Sequence, residues 1–121
     1  AFHKQKNGLA TIVSVPLKSS YGIVDVGENG DVKSFREKPE LPFWLNAGIY
    51  VLEPNIISYL PDRGDHETST FPQLAEIGLL KAFTTKAFWH SVDTVKDLGE
   101  LRNEMEQLFI NSFFNSSAVN V

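Results

Sequence analysis

A chain of 121 residues without cysteine can form neither a disulfide nor a thiolate metal site. Its net charge of −4 and its lack of a basic cluster argue against a nucleic-acid-binding face, and no run approaches the roughly 18 apolar residues that cross a membrane. Hydrophobic residues make up 42% of the chain, enough for the packed core of one small domain. No basic segment followed by an apolar one marks a secretory leader, so a cytoplasmic location is expected.

In chain order, residues 2–7 read as the tail of a helix. Leu9 to Leu17 is rich in Ile, Val and Thr and predicts a strand. Residues 22–27 and 32–37 flank Asn29-Gly30, a pair suited to the positive φ angles of a tight hairpin turn. Pro39 should end the second arm, because proline cannot donate to the ladder. Residues 45–53 predict a further strand. The run Ile49-Tyr50-Val51-Leu52 is apolar on both faces and suggests a central, covered position.

Pro54 suits a first helical turn, with Ile56, Ile57 and Leu60 at helical spacing. Residues 61–69 predict a polar loop. Thr70 and Gln73 form a possible capping box ahead of Leu74 and Ile77, and Gly78 is a stop signal. Residues 81–88 read as a strand. In the last helix Thr94 and Asp97 hold capping positions, and Val95, Leu98, Leu101, Met105 and Leu108 recur at helical steps; beyond Phe109 a frayed tail is expected. Strands alternating with helices predict an α/β fold with a mixed sheet and an inserted β-hairpin.

Several segments offer chemistry. Gly22, at the opening of a strand, lets a ligand approach the backbone. Glu37 and Lys38 set an acceptor beside a donor: a carboxylate suits sugar hydroxyls and an ammonium suits phosphate. Neighbours in a regular strand point to opposite faces, so the two can serve one ligand only if the chain bends there. Asn46 can both donate to and accept from a sugar ring; the ordinary alternative is a loop asparagine bonded to its own backbone. Asp93, between a predicted strand and a helix, is a candidate Mg²⁺ ligand; the ordinary alternative is a charge complementing the helix dipole. His3, His66 and His90 show no metal-ligand spacing. No phosphate-cradling glycine loop and no nucleophile motif is present.

Taken in order, Tyr21-Gly22-Ile23-Val24, Asn29-Gly30, Phe35-Arg36-Glu37-Lys38-Pro39, Asn46-Ala47-Gly48-Ile49-Tyr50-Val51-Leu52, Glu67 with Phe71-Pro72, and Trp89 through Leu98 resemble the nucleotidyltransferases that make nucleoside-diphosphate sugars. The resemblance spans residues 9–101 and implies a Rossmann-like nucleotide-diphospho-sugar transferase fold. It implies that Glu37 binds sugar hydroxyls, that Lys38 holds the sugar phosphate, and that Gly22, Asn46 and Glu67 line the sugar site. Lys38 and Asp93 would be the catalytic pair, with Asp93 a ligand to Mg²⁺.

Sugar 1-phosphate and nucleoside triphosphate are the implied substrates. The family's glycine-rich triphosphate loop and first metal aspartate are not found in this sequence. Residues 1–109 are therefore expected to form the C-terminal, sugar-phosphate-binding half of a catalytic domain, with 110–121 as a tail. Such a half should be inactive alone and associate as a homo-oligomer or with an N-terminal half. The alternative is a non-catalytic sugar-phosphate-binding or regulatory module.

Overall fold

The computed structural model describes the backbone of residues 1–119 and the side chains of residues 1–115. The chain forms two compact units, Ala1–Ala87 and Phe88–Val121.

The first unit is built on a three-stranded mixed sheet. Strand β1 (Ala10–Lys18) lies between β4 (Glu40–Leu52), with which it runs antiparallel, and β5 (Leu80–Thr84), with which it runs parallel. The short helix α1 (Phe2–Lys6) precedes β1 and ends at Asn7 in the left-handed region, φ 54°. Pro16 is tolerated inside β1 because β5 pairs with β1 only as far as Ser14, leaving the proline on an unpaired flank.

The predicted hairpin is present as β2 (Ile23–Val26) and β3 (Val32–Arg36). Its turn differs from the two-residue form expected. Only Gly30 takes a positive φ, 82°, while Asn29 does not. The Gly30 amide donates to the Gly27 carbonyl at 3.1 Å, and the Gly27 amide donates to Asp31 at 2.8 Å. This is a three-residue loop closed by a left-handed glycine, the next most common hairpin solution. The hairpin is an insertion between β1 and β4. Ser19 donates its amide to the Pro39 carbonyl at 2.9 Å, and Lys18 pairs with Glu40 across its base.

Strand β4 is longer than predicted, and it is an edge rather than a central strand. Ile49, Val51 and Leu52 are exposed. An apolar run reports that a strand's faces can be covered, but not which neighbours cover them. The register of β4 on β1 slips between Ile12 and Ser14, which pair with Tyr50 and Asn46. Residues 47 and 48 take up the extra length. Gly48 sits there at φ 78°, a conformation that glycine adopts without steric penalty.

A 3-10 helix, Pro54–Tyr59, leads through a polar loop to helix α2 (Thr70–Glu76). The capping box expected at Thr70 does not form. Thr70 is fully buried, and its hydroxyl donates to the Tyr59 carbonyl at 2.8 Å, tying α2 to the 3-10 helix; Ser69 holds the cap position. Gly78 does stop the helix. It takes φ 77°, its amide reaches Ala75, and the Leu79 amide reaches the Leu74 carbonyl at 2.8 Å. Ala10, Ile56, Phe71 and Leu74 form the core of this unit, with Ile12, Tyr50 and Tyr59 packed against it.

In the second unit, helix α3 runs Val95–Val119 and continues past Phe109, where a tail was expected. Its capping box is as predicted: the Thr94 amide donates to Asp97 Oδ2, and the Asp97 amide donates to Thr94 Oγ1, each at 3.1 Å. Strand β5 ends at Thr84, so residues 85–94, including Trp89 and Asp93, lie in an irregular segment and not at a strand end. The mixed α/β sheet with its inserted hairpin matches the predicted fold class.

Candidate substrate site

Five of the six sequence-predicted residues, Gly22, Glu37, Lys38, Asn46 and Glu67, lie in two places within the first unit, and Asp93 lies in the second unit. The first place is the open end of the hairpin. A Cβ placed on Gly22 would come within 2.7 Å of Phe35 Cζ and 3.3 Å of Glu37 Oε2. The Glu37 carboxylate therefore lies against the Gly22 backbone, in space that exists because residue 22 has no side chain.

Beyond β3 the chain bends at Lys38, whose φ is 45°. A lysine in the left-handed region costs on the order of 1–2 kcal/mol relative to the right-handed one. Such outliers persist only where the surrounding chain enforces them. Here Pro39 fixes the next residue and the Ser19 amide holds the Pro39 carbonyl. This is the bend that Glu37 and Lys38 require to escape strand alternation. Both side chains are exposed.

The second place is the corner between β4 and the loop before α2. The bulge at residues 47 and 48 turns Asn46 so that its Oδ1 accepts the Gly48 amide at 2.8 Å. Asn46 Nδ2 donates to the Tyr50 hydroxyl at 2.7 Å, and that hydroxyl donates to Glu67 Oε1 at 2.7 Å. Asn46 and Glu67 are thus joined through Tyr50. The Tyr50 ring meets Phe71 edge-to-face with centroids 5.1 Å apart and His66 at 5.4 Å. Partial burial raises the Tyr50 phenol above its ordinary pKa; the Asn46 hydrogen bond opposes this and Glu67 adds to it.

Sequence reasoning places Asn46 and Glu67 at a sugar site, reads Tyr50 as part of an apolar strand and His66 as a residue without metal-ligand spacing, and gives neither of the last two a site role. Tyr50 sits in an apolar run and reads as core, and its ring does pack against the core. Four-residue spacing from Asn46 does not bring two residues together in a regular strand; the bulge does that here. His66 Nε2 is buried without a hydrogen-bond partner and lies 3.8 Å from Glu67 Oε1. The other histidines are structural. His3 bridges Thr11 and Glu53 at 2.7 Å each, and His90 Nδ1 contacts the Ser91 carbonyl at 2.6 Å.

Asp93 belongs to the second unit and is exposed. Its backbone amide donates to Asp97 Oδ2 at 3.1 Å. That bond, with the Thr94 contacts, holds the Asp97 carboxyl below its ordinary pKa. Asp97 is therefore the carboxylate that completes the helix cap, and Asp93 need not serve as one. Among the described residues no three His, Asp or Glu side chains gather into a metal cage. Asp93 stands there as a single exposed carboxylate. No helix among the described residues is long and apolar enough to cross a membrane.

The chain as a whole is similar to known proteins. Residues 1–107 match the nucleotidyl transferase family. The glucose-1-phosphate cytidylyltransferase of Salmonella typhi is 33% identical over 102 residues, covering 79% of this chain and 38% of that protein. The mannose-1-phosphate guanyltransferase of Yarrowia lipolytica (strain CLIB 122 / E 150) is 38% identical over 103 residues, covering 79% of this chain and 28% of that protein. The crystal structure of HddC from Yersinia pseudotuberculosis superposes with a TM-score of 0.54 at 25% identity, covering 86% of this chain and 47% of that one. The chain thus spans less than half the length of each of these relatives. With the family match extending over nearly all of its residues, the chain belongs to the nucleotidyl transferase family.

Proposed function

We propose that this chain supplies the sugar-phosphate side of a sugar-1-phosphate nucleotidyltransferase, in which a nucleoside triphosphate and a sugar 1-phosphate give a nucleoside-diphosphate sugar and pyrophosphate. The observation that carries the reading is the hairpin end, where Glu37 lies against Gly22 and the left-handed Lys38 turns the chain. Relatives named for glucose 1-phosphate and mannose 1-phosphate favour a hexose of one of these two configurations.

In this reading Lys38 meets the sugar phosphate as a point charge. Glu37, lying with the Phe35 ring against Gly22, accepts from sugar hydroxyls, the Gly22 backbone meets the sugar beside it, and Asn46 and Glu67 face the ring from the other cluster. A phosphate oxygen of the sugar 1-phosphate attacks the α-phosphorus of the triphosphate. The new P–O bond forms as the bond to the β-phosphate breaks, and pyrophosphate leaves. The side chains act by holding the reactants in line and by offsetting charge. Asp93, in the second unit, would hold Mg²⁺ together with phosphate oxygens and water, and the ion would supply charge neutralisation.

The triphosphate loop of the family is not found in this sequence, so we assign triphosphate binding to another polypeptide segment that carries such a loop. The exposed edge of β4, with Phe43, Trp44, Ile49 and Val51, supports such an association. The cysteine-free composition suits the reducing cytoplasm, where we place the protein.

The test is Lys38→Ala. In the complete gene product it should weaken transition-state binding by about 2–4 kcal/mol, read as kcat/KM for pyrophosphate release. In the 121-residue chain it should abolish glucose or mannose 1-phosphate binding measured by calorimetry. Unchanged turnover and unchanged binding would remove Lys38 from the site.

A further inference from the structure

We propose that Tyr50 is a positioning residue that fixes the hydrogen-bonding polarity of the sugar side of the site, so that Asn46 presents a donor and Glu67 an acceptor to two hydroxyls of the bound sugar. The proposal rests on the reading that Asn46 and Glu67 face the sugar.

The polarity follows from the bonds themselves. A carboxylate can only accept, so the single Tyr50 proton goes to Glu67 Oε1, at 2.7 Å. The Tyr50 oxygen must then accept from its other neighbour, which makes the near end of Asn46 its NH₂ group, also at 2.7 Å. That leaves the amide oxygen of Asn46 toward Gly48, where a backbone N–H donates to it at 2.8 Å. Every bond in the series is directed by the one before it. Two functions remain outside the series: the second Nδ2 proton of Asn46 and the Oε2 oxygen of Glu67. They are a donor and an acceptor held by one hydroxyl, which is the complement of two sugar hydroxyls, one accepting and one donating.

Tyr50 can act as a fixed pivot because its ring is held by packing. Phe71 is 6% exposed and stands edge-to-face against it, and His66 packs on the same ring. Asn46 and Glu67 are exposed, and exposed side chains of this kind sample several rotamers unless tied down. The phenol supplies that restraint to both at once. His66 Nε2, itself buried, stands 3.8 Å from the same Glu67 oxygen and sets a second boundary to the carboxylate.

Tyr50→Phe keeps the ring contacts and deletes the pivot. Two measurements on the isotope-labelled chain test it. Without ligand, the Asn46 side-chain NH₂ resonances should shift, and their exchange with water should quicken, in the variant; unmoved resonances would overturn the proposal whatever the sugar result. With ligand, glucose 1-phosphate and mannose 1-phosphate are compared with methyl phosphate as a phosphate-only probe. The variant should bind the preferred sugar phosphate about tenfold more weakly and methyl phosphate within about twofold of wild type.

An equal loss for both ligands would show general damage to the fold and reject a positioning role. Binding lost in Lys38→Ala but kept in Tyr50→Phe would reject Tyr50 alone. A wild-type chain that binds neither sugar phosphate, while the Asn46 resonances still respond to Tyr50→Phe, would instead overturn the sugar-phosphate reading and leave the bond series intact.

Discussion

Two regions of this chain carry equally clear apolar patterns and treat them differently. In the first unit, the 3-10 helix and α2 bury Ile56, Phe71 and Leu74 against Ala10 of the central strand. In the second unit, α3 repeats Leu98, Met105 and Phe109 at helical spacing, yet these are 49%, 57% and 74% exposed. The contrast teaches that periodicity reports which face of an element is apolar and says nothing about whether a partner covers it. The candidate residues follow the same division: the Tyr50 ring packs on the covered core, whereas Asp93 lies in an irregular segment before α3.

The sharpest way to break this comparison is by truncation. Leu74→Ala removes a fully buried side chain and should lower the unfolding free energy by about 2–5 kcal/mol in urea titration. Met105→Ala on α3 should change it by less than about 0.5 kcal/mol, as exposed substitutions do. Equal losses would show that the apolar stripe of α3 is covered in solution.

Gly22→Ala tests the hairpin end. The added methyl meets the exposed tip of Phe35 and the Glu37 carboxylate, both of which can move, so stability should change little. Displacing Glu37 should nevertheless weaken sugar 1-phosphate binding by about tenfold, or 1.4 kcal/mol. Unaltered affinity would separate Glu37 from the ligand.

The smallest effect belongs to the α3 cap. Asp97 has a lowered pKa because amides and the Thr94 hydroxyl bond its charged form. A carboxyl depressed in the folded state stabilises above its unfolded pKa of about 3.9, and the contribution is lost as pH falls through the folded value. Helical ellipticity at 222 nm should therefore decline slightly on acidification below about pH 4. Asp97→Asn should flatten that part of the profile, and an identical acid limb in the variant would remove the cap from the explanation.

The candidate site was partly legible in the sequence because its parts are short and chemically distinct. Glu37-Lys38-Pro39, Asn46 and Glu67 stand out from the apolar runs around them, and resemblance supplied their order. Tyr50 was hidden because its ring is genuine core and only its hydroxyl belongs to the network. Thr70 misled for the converse reason. It has the residue type and spacing of a cap, but burial redirected its hydroxyl to Tyr59, since a buried donor needs the nearest available acceptor. Asp93 was expected at a strand end, and β5 stops too early for that, at Thr84.

What the sequence determined alone are the features set by local stereochemistry and patterning: the Gly78 stop, the Thr94 and Asp97 cap, the existence of the hairpin, and the alternation of strands with helices. These depend on residues within a few positions of one another. The tertiary structure decided the rest, because each item needs a partner distant in the chain. It set the edge position of β4, the bulge that carries Asn46 to Tyr50, the contact of Tyr50 with Glu67, and the left-handed turn at Lys38 braced by Ser19. Which strands become neighbours, and which distant groups hydrogen-bond, are collective properties of the packed sheet that residues a few positions apart do not specify.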